Sequence, residues 1–132
     1  MISVNSIKNQ KGQSLVEFAI ILPVVLLLLM GIIEFGMMFN SYLTIQNVAR
    51  EGARLGIVGG SDIEIKTLIR DISPNLTPGD LTVNLTPAEG SRKSGETLKV
   101  SIDYNYHMTV PIISALFNNA IVLKAQTSMR LQ

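Results

Sequence analysis

Residues 18–39 read FAIILPVVLLLLMGIIEFGMMF, with no charged side chain from Phe18 to Ile33 and only Glu34 interrupting the run before Phe39. A bilayer-crossing helix needs about 20 mostly apolar residues, each rising about 1.5 Å. Phe18 to Phe39 meets that length with Glu34 near an interface. A buried core helix would need apolar cover on every side, more than a chain of 132 residues can wrap around it. The stretch therefore predicts a membrane span. Lys8 and Lys11 precede it closely and the next basic residue is Arg50. Positive charge favours the cytoplasmic side. This predicts a single pass through the inner or cell membrane, N-terminus cytoplasmic and the rest extracytoplasmic. The run exceeds a secretory signal core and no A-x-A-like site follows it, so the expectation is a retained anchor.

Around that helix there is room for one small domain. Lys+Arg 11 against Asp+Glu 10 gives a net charge of +1, too weak a basic field to attract nucleic acid. Apolar residues make up 47% and charged ones 16%, which excludes a disordered, solvating chain. No Cys and a single His leave no thiolate metal site, no thiol nucleophile and little from which to build zinc or triad chemistry. The expectation is a non-enzyme, with no catalytic, cofactor-binding or metal residue and no small-molecule substrate. An acid–histidine site would return only if the fold joined Asp103, His107 and Glu96.

Just before the span lies Lys11-Gly12-Gln13-Ser14-Leu15-Val16-Glu17-Phe18: a short basic leader, a Gly, and an acid five residues beyond it. This resembles the processing site of type IV prepilins. The resemblance implies a prepilin peptidase cutting after Gly12, Gln13 as the new N-terminus, and Glu17 as the acid that registers one subunit against the next. It divides the chain into a removed leader (1–12), a membrane helix (13–39) and an extracytoplasmic domain (40–132) that includes the upper part of the long helix. Gln13 departs from the aromatic residue many pilins carry there. A charge at mid-bilayer costs about 2.5–3.5 kcal/mol on insertion scales. An ammonium about 4 Å away returns about 4 kcal/mol at an effective dielectric of 20, before desolvation. Glu17 can use a neighbouring N-terminus in this way, or reach the headgroups instead. Pro23 lacks an N–H for the preceding turn and marks a weak point or kink.

Beyond the span, Phe35, Met38, Phe39, Tyr42, Ile45, Ala49, Gly52, Ala53 and Gly56 recur at helical steps and predict one inward stripe, which Gly59-Gly60 ends. Gly52 and Gly56 permit close backbone approach, by the chain's own sheet or by another subunit. Arg50, Glu51 and Arg54 flank this stripe as a solvated face or as a contact for a neighbour. Taken in order, Gly12, Val16-Glu17-Phe18-Ala19, Leu22-Pro23, Gly31-Ile32-Ile33-Glu34-Phe35-Gly36 and Ala49-Arg50-Glu51-Gly52-Ala53-Arg54 resemble the TadE-like proteins, minor pilins or pseudopilins of the tight-adherence (Tad/Flp) pilus. The resemblance implies partners in the membrane: the prepilin peptidase, other pilins and the pilus assembly platform. Glu34, Arg50, Glu51, Gly52, Arg54 and Gly56 are then candidate subunit contacts.

In the remainder, Ser61-Asp62-Ile63-Glu64 reads as a capping box opening a second helix that Ser73-Pro74 stops. Leu81, Val83 and Leu85 alternate as a strand, and residues 88–95 read as a mobile polar loop. Leu98, Val100, Ile102, Tyr104, Tyr106 and Met108 form the apolar side of a second strand. Pro111 to Phe117 predicts a short helix, Ile121 to Leu131 a last strand, and His107 a solvated side chain. The fold class is α+β: a long N-terminal helix packed on a three-stranded antiparallel sheet, pilin-like. The function expected is assembly or priming of a Tad-type pilus or related secretion filament. The alternative is a membrane-anchored binding or adhesion module.

Overall fold

The computed structural model describes residues 4–116, 118 and 120–132. Residues 1–3 of the expected leader and Phe117, the expected end of the short helix, lie outside the described residues.

One helix, α1 (Val4–Ile57), runs through the leader, the apolar stretch and the stripe above it without interruption. The helix thus extends back through the described part of the leader as well. Residues 5–11 contain no Pro or Gly, and one Gly costs only about 1 kcal/mol relative to Ala in a helix. Pro23 is accommodated inside the same helix. At the far end Gly59 adopts φ +97. There Gly60 N–H donates to Leu55 O at 3.0 Å and Gly59 N–H to Gly56 O at 3.2 Å, the paired bonds that close a helix C-terminus.

The second helix, α2 (Asp62–Asp71), starts on the expected capping box: Glu64 N–H donates to Ser61 Oγ at 3.2 Å, and Ser61 N–H to Glu64 Oε2 at 3.0 Å. A 3-10 turn at Pro78–Asp80 leads into β1 (Leu81–Thr86). This strand pairs antiparallel with β2 (Thr97–His107), which pairs antiparallel with β3 (Ala120–Arg130). The short helix α3 (Pro111–Leu116) lies in the β2–β3 connection. The result is the expected α+β fold, with β2 at the centre of a sheet of order β1-β2-β3. Register sets Leu81 opposite Tyr104, Ile102 opposite Ala125 and Tyr106 opposite Ile121.

The core lies between the upper part of α1, α2 and one face of the sheet. It contains Ile45, Val48, Ala49 and Ala53 of α1, Ile65 and Ile69 of α2, and Leu98, Val100, Ile102, Tyr104 and Tyr106 of β2. Each fully buried Ile, Leu or Val contributes about 1.5–3 kcal/mol relative to exposure. The loop expected to be mobile is fastened instead. Arg92, its side chain buried, pairs with Asp62 at the head of α2 and donates from Nε to Pro87 O at 3.1 Å. A charged fork meeting a carboxylate and a carbonyl can hold a loop that composition alone marks as loose.

The inward stripe of α1 is also corrected in its lower part. Met38 and Ile45 do turn towards the domain, but beside them stand Glu34 and Ser41, while Phe35, Phe39 and Tyr42 face outward. The three rings stack on each other along the exposed side, with centroids 6.2 and 6.4 Å apart. A helix that is apolar all round gives no periodic signal for its buried side; here that side follows Glu34, whose partners are described below.

Gly52 and Gly56 meet the chain's own domain. A Cβ on Gly52 would lie 2.9 Å from Ile69 Cδ1, and one on Gly56 would overlap Leu98 Cδ2. Gly56→Ala should therefore lower stability by about 1–3 kcal/mol, the usual cost of overpacking a core. Gly36→Ala, into open space, should cost nothing. Thermal melts of the two variants in detergent check this, and a Gly56→Ala protein melting with the wild type would show that Leu98 swings aside freely.

Candidate functional site

Two parts of α1 carry the candidate residues. The lower part, from Gln10 to Leu29, is exposed on all sides and makes α1, among the described residues, the one helix long and apolar enough to cross a membrane. Gly12 has open space around it, and Gln13 and Glu17 stand on the exposed surface. Among the described residues Glu17 has no hydrogen-bond or ion-pair partner.

The upper part holds the other acid of the apolar run, and its setting is quite different. Glu34 is only 3% exposed. Its Oε1 accepts from Tyr106 Oη at 2.9 Å and from Thr109 N–H at 3.0 Å, and its Oε2 accepts from Val110 N–H at 3.0 Å. Tyr106 comes from the end of β2, and the two amides belong to the residues entering α3. Both carboxyl oxygens are thus occupied within the chain, where the sequence suggested an interface position or a subunit contact. Burial, and then the bond to Glu34, push the Tyr106 phenol up to about 12, so it stays a neutral donor through the physiological range.

The domain also reaches further down α1 than expected. A Cβ on Gly31 would lie 3.8 Å from Ile113 Cδ1 of α3. Leu27, Gly31 and Met38 of α1 line an apolar recess of about 330 Å³ together with Met108, Ile113 and Ile121. Residues 31–39, assigned to the membrane helix, are therefore covered by the domain on one side.

Arg50, Glu51 and Arg54 remain on the exposed side of α1. Arg54 Nη1 lies 3.7 Å from Glu51 Oε1 with both side chains largely in solvent, a pair worth little by itself. Gly52 and Gly56 are used internally, as described above. Asp103, His107 and Glu96 do not converge: Glu96 precedes one end of β2 and His107 ends it, about 35 Å apart along an extended strand. His107 is exposed, but its Nε2 meets Asp80 Oδ1 at 3.0 Å, a partner the sequence reading did not assign.

The residues missed from sequence are Tyr106, Thr109 and Val110. The signal for them was indirect: a lone acid in an apolar run requires donors, and an uncharged stretch from Met108 onward can come close to it.

An exposed apolar helix carrying a small α+β cap on its distal half defines a helix-anchored class of protein. Residues 12–54, about a third of the chain, match the family described as TadE-like protein. The match ends within α1, before α2 and the sheet. Comparison with curated proteins and with solved structures yields no match.

Tyr106→Phe should cost about 1.5–3 kcal/mol, because it removes a donor to a buried acid. The sign with pH follows from the raised phenol: its contribution is complete below pH 10 and declines as pH rises towards 12. Melting curves between pH 7 and 12 should therefore converge for the wild type and Tyr106→Phe at the alkaline end. Parallel curves over the whole range would remove the phenol–Glu34 bond from the explanation.

Proposed function

We propose that this chain is a minor pilin or pseudopilin that primes or joins a Tad-type pilus or a related secretion filament. The observation carrying this reading is that the TadE-like match falls on a helix that is uncharged from Phe18 to Ile33 and exposed from Gln10 to Leu29. Such a surface is suited first to lipid and then to a sheath of similar helices. In this reading α1 is inserted with its N-terminus in the cytoplasm and the domain outside. A prepilin peptidase removes residues 1–12, and Gln13 starts the mature chain. Gly12 helps by lowering the cost of opening the helix at that bond. The new ammonium of one subunit pairs with Glu17 of the next and sets their register. Arg50, Glu51 and Arg54, left exposed by the fold, supply contacts to neighbouring pilins or to the assembly platform.

Processing and register can be tested separately. Mass spectrometry of the protein extracted from membranes that contain the peptidase should find Gln13 at the N-terminus. Glu17→Ala should still insert and be cut, but lose assembly. An intact leader, together with normal filaments from the Glu17→Ala strain, would instead make α1 a simple anchor for a binding domain.

A further inference from the structure

We propose that α3 and its flanking residues, Val110–Leu116, rest in the bilayer leaflet on the domain's side, against its acyl chains, as a second membrane contact beside α1. This rests on reading α1 as a membrane span.

Chain length makes the first argument. From Leu15, the first apolar residue past the polar junction, to Met30 the helix rises about 24 Å. A hydrocarbon layer is about 30 Å thick, so one begun at Leu15 reaches the level of Glu34, and any tilt of α1 carries it further along the chain. Yet Ile113 already packs at Gly31, and the recess beneath it reaches Leu27. The foot of the domain is therefore about one helical turn below the surface of the layer. It must share the layer or thin it.

Its chemistry suits that place. No Asp, Glu, Lys or Arg occurs from Met108 to Leu123, and His107 and Lys124 bracket the stretch. Within it Ile112 is 51% exposed, Leu116 70% and Val122 52%, large apolar groups that the fold leaves uncovered. At the same height α1 exposes Ile32, Ile33 and Phe35, so the apolar belt continues from the membrane helix onto the domain. Several polar groups at the entry to α3 are satisfied internally, as lipid requires. The Thr109 and Val110 amides and the Tyr106 hydroxyl are spent on Glu34, Pro111 has no N–H to place, and Ser114 Oγ donates to Pro111 O at 2.8 Å. Continuity with the span favours lipid over a second copy of the chain as the occupant.

The chain contains no Cys, so single-cysteine variants give clean labels. Leu116→Cys, Leu26→Cys and Asn84→Cys, each carrying a nitrobenzoxadiazole probe, would be placed in full-length protein in phosphatidylcholine vesicles. Quenching is then read with iodide in the water and with spin labels set shallow or deep in the lipid. The probe at position 116 should show blue-shifted emission, lose iodide quenching relative to position 84, and be quenched by the shallow lipid label. Position 26 should respond to the deep label. Iodide access at 116 equal to that at 84, with 26 still quenched from within the lipid, overturns the proposal and leaves the span intact. Iodide access at 26 overturns the span itself. Protection at 116 that vanishes as protein is diluted in lipid makes the occupant a second copy and also overturns the proposal.

Discussion

A carboxyl group next to an apolar helix must find donors or return to water, and Glu34 finds three of them in the chain's own domain. The donors lie 72 to 76 residues further along the sequence, so satisfying one side chain joins the middle of α1 to the last third of the fold. These three bonds take the place of those Glu34 gives up on leaving water. The same contact selects which side of α1 turns inward, because the neighbouring residues are apolar on every side. Phe35, Phe39 and Tyr42 are left to stack outside as a consequence.

Above this latch, packing follows side-chain size. Ala49, Gly52, Ala53 and Gly56 make α1 slender where α2 and β2 both approach it, and Ile65, Ile69 and Leu98 fill the space that larger residues would have taken. A motif of small residues that could serve contact between subunits is here consumed by the fold of one subunit. The surfaces the domain does not cover are the bare lower helix and the solvated side bearing Arg50, Glu51 and Arg54.

The two halves of α1 thus have different surroundings along one unbroken helix. Below Met30 the side chains of α1 from Gln10 on are exposed among the described residues, and a helix apolar on all sides is stable alone only in lipid or among its like. Above that point one side of it packs on the sheet and on α2.

Local chemistry was enough to read the membrane-length run, the capping box at Ser61–Glu64, the alternating strands and the stop at Gly59-Gly60, since each depends on neighbours only a few residues apart. Residues 12–54 were recognisable as TadE-like for the same reason, their signature being one continuous helix. The inward side of α1, the partners of Glu34, the fastening of Arg92 to Asp62 and the depth to which the domain descends were decided only by the tertiary structure. An all-apolar helix carries no periodic mark of its buried side, and no local rule tells a carboxyl or guanidinium group which distant donor or acceptor will satisfy it.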